Sequence, residues 1–317
     1  MMDKTTSLTM SLKKKLIVAT RPSLLAYTQT MQTVELLQKA NPDIEFEVKK
    51  FSTQGDRVLN RSLTEFGTTG LFVKELEHAL LEGEADIAIH SLKDVPSFHP
   101  AGLKLVAYPE REDSRDVFLT RDGVSIGDMP QGFVLGTGSP RRRVQLADVR
   151  PDTNFKEIRG NIDTRMQKLH DGEYDAIILA AAGMNRLGKE FDEEMLIDVD
   201  LCIPAIGQGA IAIETRDNDP ECIAVVEKVN HKATETAVLA ERAFMAEIEG
   251  GCKFPLAAHA VVDGKHLNMI AIVGDLKSGD FIVESIEVPV EESVAKSAEL
   301  AQKMKAICQE KGINFYQ

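Results

Sequence analysis

No apolar run in this chain approaches the ~20 residues that a membrane-spanning helix requires; the longest, such as Ala176 to Met184, is less than half that length. At the amino end Lys13, Lys14 and Lys15 precede only the short apolar run Leu16 to Ala19, too little for a signal-peptide core. The expectation is a cytoplasmic protein that does not engage a membrane. Cysteine is scarce. The four present, Cys202, Cys222, Cys252 and Cys308, have no C-x-x-C spacing and no neighbouring His pair, which argues against structural zinc and against a disulfide scaffold. No metal is expected, and three of the four read as ordinary buried or half-buried thiols. Positive charge is also in short supply, with 37 Lys and Arg against 50 Asp and Glu for a net −13. A phosphate backbone calls for the opposite balance, so nucleic acid is a poor candidate partner.

What the chain has is length and apolar content. Its 317 residues, 43% of them apolar, predict two or three domains that bury roughly three quarters of their surface. One segment runs against the acidic whole. Between Val134 and Lys168, Arg141, Arg142, Arg143, Arg150, Lys156, Arg159, Arg165 and Lys168 face only Asp148, Asp152, Glu157 and Asp163. That stretch is +4 and the remainder −17. Such an island is either a solvated helix face or a grip for a small anionic ligand.

Helical and strand periodicities alternate through the first two thirds, the pattern of α/β layers with largely parallel sheets. The order of elements occurs twice. The first pass runs from the strand Leu16 to Ala19 through the turn Thr20-Arg21-Pro22-Ser23 and a helix from about Leu24. It continues with a strand at Phe46 to Val48, a helix near Phe72 to Leu81 and a buried strand Ile87 to Ile89. The second runs from Phe133-Val134-Leu135 through Gly136-Thr137-Gly138-Ser139, a helix through the arginines, Phe155 to Ile158, a helix from about Asp163 and a strand Ala176 to Leu179. Two α/β domains of similar build follow, with a ligand cleft between them at the carboxyl ends of their strands. After Pro204 a glycine-marked crossing and the strand Ile211 to Ile213 return the chain to the first domain. The reading is a first domain of residues 13–109 plus 210–228, a second of 110–209, and a small α+β third of 229–317.

Three turns share one construction: a strand end, small or hydroxylic residues with arginine, then a helix. They are Thr20 to Ser23, Thr137 to Arg143, and Arg159 to Arg165. Each sets helix N–H groups beside guanidinium groups, a pairing that grips carboxylates or phosphates. Each also fits plain helix capping, with Ser139 before Pro140 the clearest case. A dinucleotide fingerprint is absent, because Gly136-Thr137-Gly138 lacks the third glycine. In His90-Ser91-Leu92-Lys93-Asp94-Val95-Pro96, Asp94 follows a buried strand, where it reads either as an acid that stabilises a developing cation or as a turn residue. Gly250-Gly251-Cys252-Lys253 places a thiol beside a lysine, a setting that lowers its pKa.

Taken together these segments resemble the porphobilinogen deaminase (hydroxymethylbilane synthase) family. The resemblance rests on Gly70 to Glu77, Ala88 to Pro96, Ser139-Pro140-Arg141-Arg142, Ile158 to Asn161, Pro204 to Ala210 and Glu249 to Cys252, in family order over nearly the whole chain. It implies two domains like those of type II periplasmic binding proteins plus a small C-terminal α+β domain. It implies a transferase of tetrapyrrole (haem) biosynthesis that joins four porphobilinogen molecules head to tail with loss of ammonia; nothing in the sequence demands more than a monomer. The growing chain is anchored on a dipyrromethane cofactor, held by thioether to Cys252. By the same resemblance Asp94 is catalytic; Lys93, Ser139, Arg141, Arg142, Arg165 and Gln208 bind the cofactor; and Arg21, Ser23, Arg159 and Arg186 bind substrate. Each ring carries two acids, which gives the basic island a purpose. The chain departs from the family where Thr69 stands in place of a loop lysine, with Glu65 close by where a basic residue is common. Two other readings stay open at this point: a two-domain solute-binding protein without chemistry, and a paralogue that assembles its cofactor but turns over slowly.

Overall fold

The computed structural model describes residues 14–52, 73–98, 100–248 and 254–314. The chain opens with β1 (Lys15–Thr20), α1 (Leu24–Ala40), β2 (Glu45–Lys50), α2 (Lys74–Leu81), β3 (Ile87–Ser91) and β4 (Leu103–Ala107). It then crosses to a second sheet through β5 (Asp116–Thr120), β6 (Val134–Gly136), α3 (Pro140–Val149), β7 (Asn154–Lys156), α4 (Ile162–His170), β8 (Ala176–Ala180), α5 (Ala181–Arg186) and β9 (Leu196–Ile197). It crosses back as β10 (Ile211–Arg216) and α6 (Pro220–Glu227), and ends with α7 (Lys232–Ile248), β11 (Leu256–Asp263), β12 (His266–Gly274), β13 (Phe281–Pro289) and α8 (Ser293–Lys311).

The two large sheets are built alike. In the first, of order β2-β1-β3-β10-β4, β1 runs parallel to β2 and β3, while β10 is antiparallel to β3 and β4. In the second, of order β7-β6-β8-β5-β9, β6 runs parallel to β7 and β8, while β5 is antiparallel to β8 and β9. Each sheet's antiparallel member is the strand that has just crossed from the other domain. This is the architecture of type II periplasmic binding proteins, here with a small α+β domain added. Ile87, Ile89, Val106 and Ile213 sit in one core, and Val117, Ile177 and Leu179 in another. Strands buried on both faces explain why both sheets read as nearly continuous apolar runs rather than alternating ones. In the third domain β11, β12 and β13 form an antiparallel sheet, and Phe244, Ile248, Met269, Leu300 and Met304 share its core with α7 and α8.

The crossing segments pass so closely that only glycine fits at one point. Gly209 has φ +84°, and a Cβ there would lie 2.4 Å from the carbonyl oxygen of Glu112. The third domain is fastened to this crossing by one buried carboxylate. Glu241 of α7 accepts from Arg111 Nη1 at 2.6 Å and Nη2 at 3.2 Å, from the Gly207 amide at 2.7 Å and from the Ala260 amide at 2.9 Å. Arg111 Nε also donates to the Gln208 carbonyl at 2.8 Å. A single side chain thus joins both crossing segments to α7 and β11.

His259 of β11 faces this knot, with Glu241 3.7 Å away and Arg111 and Asp113 nearby. Burial pushes its pKa down, Glu241 pulls it up, and Arg111 adds to the depression. The fold therefore favours the neutral ring. The stabilisation is complete above the ordinary histidine value of about 6.5 and is lost as pH falls through the lower folded value. We expect the drop in Tm between about pH 7.5 and about pH 5.5 to be smaller in His259→Gln than in the unaltered protein; equal drops would contradict this.

Candidate active site

On the first domain, β3 leads into a single 3-10 turn, Leu92–Asp94. The strand is fixed from behind by a buried pair, His90 Nε2 to Glu214 Oε2 at 3.0 Å. The turn is held by Leu92 N donating to the Ala210 carbonyl and Val95 N to the Leu92 carbonyl, both at 3.0 Å. Arg242 of α7 donates to the carbonyls of Val95 at 3.2 Å and Pro96 at 2.6 Å. Asp94 sits at the tip of this braced turn, exposed, and among the described residues no donor reaches its carboxylate. Lys93 also reaches solvent through the cleft, yet it is walled in closely enough that desolvation pushes its pKa down to about 8. Asp94 opposes that shift, and Arg142 and Arg141 reinforce it. The first domain's lysine therefore feels the second domain's arginines across the cleft.

On the second domain, α3 begins at Pro140 with Ser139 as its cap, the serine oxygen accepting from the Arg142 amide at 3.5 Å. The capping reading of this turn is thus realised, as it is at Ser23, whose oxygen accepts from the Ala26 amide, and at Asn161, whose oxygen accepts from the Thr164 amide. The first turn of α3 aims Arg141 and Arg142 inward onto Asp116, the first residue of β5, which is fully buried. Arg141 Nη2 meets Asp116 Oδ2 at 2.8 Å; Arg142 Nε meets Oδ2 at 3.1 Å and Nη2 meets Oδ1 at 2.7 Å. Gln208 Nε2 adds a bond to Oδ1 at 2.8 Å and another to the Ser114 carbonyl at 2.7 Å. Burial alone would raise the Asp116 carboxyl, but the two guanidinium groups hold it well below the usual carboxylate range. Cys202 lies against the same cluster, 3.4 Å from Arg141 Nη1, and burial pushes its thiol up to about 12, so it is no nucleophile.

Arg165 of α4 donates from Nε to the Gly160 carbonyl at 2.8 Å. Its pKa is lowered first by burial, then by repulsion from Arg142 and Arg159. These three cations therefore converge. Arg159 pairs with Glu157 at the rim. Arg21 lies half-buried between β1 and α1. Arg186 reaches the crossing, donating from Nη2 to the Gly209 carbonyl at 2.6 Å, and lines a cavity of about 330 Å³ with Gln29, Gln32 and Asn185. The basic island does not act as one unit. Arg150 is spent on Asp152 and on the carbonyls of Ile126 and Met129, and Arg143 lies over the Phe155 ring. Cys252, Thr69 and Glu65 lie outside the described residues; α7 ends at Ile248 and β11 begins at Leu256, on either side of Cys252.

Three residues of this arrangement escaped the reading of the sequence: Asp116, Glu241 and Arg242. Asp116 carried a usable signal, since a charged residue opening the otherwise apolar run Val117-Phe118-Leu119 must be buried with partners. Glu241 and Arg242 sit in an ordinary amphipathic helix and carry no local signal.

A family model described as "Porphobilinogen deaminase, dipyromethane cofactor binding domain" matches residues 16–224, and one described as "Porphobilinogen deaminase, C-terminal domain" matches residues 235–306. A porphobilinogen deaminase of Oceanobacillus iheyensis is 43% identical over 288 residues, covering 90% of this chain and 93% of that protein. One from Bacillus mycoides is 44% identical over 282 residues, covering 88% and 90%. Among solved structures, the periplasmic VFT2 domain of Bordetella pertussis BvgS aligns with 68% of this chain and 86% of its own at 17% identity and a TM-score of 0.41.

With its pKa pushed down to about 8, Lys93 is expected to make anion binding at this cleft depend on pH. Its charge is complete well below pH 8 and lost above it. Citrate, as a tricarboxylate probe, should bind roughly tenfold more weakly at about pH 9.5 than at about pH 7, the scale of one charge-assisted hydrogen bond. Lys93→Arg, which keeps its charge, should flatten that dependence when measured by calorimetry. Parallel pH curves for the two proteins would contradict the assignment.

Proposed function

The chain belongs to the porphobilinogen deaminase family, and from that premise we propose how its residues carry the family's reaction. The protein is a hydroxymethylbilane synthase, a transferase that condenses porphobilinogen with loss of ammonia to the linear tetrapyrrole hydroxymethylbilane, and its cofactor is dipyrromethane. The donor set fits that group. Lys93 is repelled by Arg142 and Arg141, and Arg165 by Arg142 and Arg159, so cations from both domains crowd one cleft whose buried carboxylate, Asp116, already serves two of them. A chain of pyrroles, each bearing an acetate and a propionate, supplies the missing negative charge. This convergence of cations from both domains beside an exposed aspartate is the observation that carries the proposal.

When bound, the cofactor supplies the nucleophilic pyrrole end to which new rings are added. Cys252 is assigned its thioether attachment, on the short connection between α7 and β11. Lys93, Arg141, Arg142, Arg165, Ser139 and Gln208 are assigned to the cofactor; of these, Arg141 and Arg142 act from an anchored position with donors to spare, whereas both amide hydrogens of Gln208 are taken by Asp116 and Ser114, so that it serves the cofactor through the arginine pair. Arg21, Ser23, Arg159 and Arg186 are assigned to the acids of the incoming ring. Asp94 is the catalytic residue. Its carboxylate stabilises the positive charge that develops on the pyrrole nitrogen as ammonia departs, and the backbone of its turn is braced by Ala210 and Arg242. Lys93 beside it restrains the acids of the substrate and, with its lowered pKa, carries a labile proton near the leaving amine. We further propose a cytoplasmic monomer that acts on this small molecule and not on nucleic acid or membranes; the acidic balance of the chain supports the exclusion of nucleic acid.

The test is ammonia release from porphobilinogen by the purified protein, one per molecule consumed, together with formation of tetrapyrrole. Asp94→Asn should lower kcat by ~100-fold or more while its Tm stays within a few degrees, because an exposed side chain contributes little to packing. Unchanged turnover in folded Asp94→Asn would remove Asp94 from the chemistry.

A further inference from the structure

Asp116 is absent from the binding and catalytic assignments above, yet three of the residues among them, Arg141, Arg142 and Gln208, are bonded to it. Its two oxygens take Nη2 of Arg141, Nε and Nη2 of Arg142 and Nε2 of Gln208. The arginines' other bonds are to backbone: Arg141 Nη1 to the Ile203 carbonyl at 2.7 Å and Arg142 Nη1 to the Ile178 carbonyl at 3.0 Å. Each guanidinium carries five N–H donors, so each keeps two beyond these contacts and the Arg141 bond to Cys202. One negative charge against two positive ones leaves the pair with a single net charge. An unpaired Arg141–Arg142 couple would repel itself and turn its donors outward in several orientations. Asp116 removes that freedom and holds both guanidinium groups in one arrangement, each with two donors left over.

Gln208 extends the same device to the domain junction. Its amide nitrogen holds Asp116 and the Ser114 carbonyl, while its own carbonyl accepts from Arg111, which is bonded to Glu241. The arginine pair is thereby connected through Asp116 to the crossing segments and on to α7.

Building on the deaminase reading, we propose that Asp116 is a positioning residue for this reaction: it orients Arg141 and Arg142 and limits their charge so that the pair grips ligand acids with its remaining donors and in register with the crossing strand. Asp116 touches no reacting atom. Its removal therefore acts on binding of acids and on cofactor assembly before it acts on the condensation step.

Unaltered protein, Asp116→Asn and Asp116→Glu are produced with porphobilinogen available, and three quantities are measured: Tm, the fraction of chains carrying the two-pyrrole mass, and KM and kcat of the loaded fraction. Asp116→Asn removes the charge, and Asp116→Glu keeps it but moves it by one methylene. The expected result is a KM at least tenfold higher in both, a kcat changed less than threefold, and a loaded fraction at most half that of the unaltered protein, with Asp116→Glu the less affected. If Asp116→Asn does not fold, Asp116→Glu alone carries the test. Wild-type KM and full loading in a folded variant, or failure of both variants to fold, would assign Asp116 to the fold alone and overturn the proposal. An unaltered protein with no adduct and no tetrapyrrole formation refutes the deaminase reading instead, a result distinguishable from the first.

Discussion

Two guanidinium groups share one buried carboxylate at the heart of this protein, and the cleft is organised by how that sharing is balanced. Burying two arginines with no carboxylate would cost several kcal/mol per charge; neutralising both would leave nothing for a ligand. Asp116 takes the middle course. It compensates one charge, fixes the geometry of both side chains, and leaves the second charge to be satisfied by whatever enters the cleft. Arg165, Arg159 and Lys93 add cations nearby; burial first, and then repulsion from Arg142, lowers the pKa values of Arg165 and Lys93. A protein whose exterior is strongly acidic thus keeps a pocket in which negative charge is in deficit.

The second organising element is α7. Adjacent residues on that helix serve different purposes: Glu241 fastens the crossing segments to the third domain, and Arg242 braces the carbonyls that follow the Asp94 turn. The helix ends at Ile248, shortly before Cys252. The element that leads to the proposed attachment point is therefore the one bonded to both the crossing segments and the Asp94 turn. The third domain is thus tied to the Asp94 turn through the Arg242 side chain, which donates to the backbone carbonyls of Val95 and Pro96.

Much of the architecture was legible because it rests on local rules. Apolar strands ending in capped turns repeat in the same order, so the twofold α/β build and the return of the chain after Pro204 follow from pattern alone. The turns at Ser23, Ser139 and Asn161 illustrate the limit of that reading. Capping and ligand binding use the same residues, and the structure shows the caps made. The arginine island was legible as charge but not as function. Its members diverge in space: Arg150 supports a loop, Arg143 lies on an aromatic ring, and Arg141 and Arg142 turn inward. What decides their fates is long-range pairing with Asp116, 25 and 26 residues away, and Gln208, 92 residues from Asp116, and no periodicity records such distances.

On the function proposed above, this chain grows a tetrapyrrole on a covalent primer held by a single thiol, Cys252. Intact-mass measurement followed by peptide mapping of protein made with porphobilinogen available tests it most directly. The predicted result is the added mass of two pyrrole units on the peptide containing Cys252, absent from Cys252→Ser. Protein that forms tetrapyrrole at full rate without that adduct, or an adduct that maps to Cys202, Cys222 or Cys308, would contradict it.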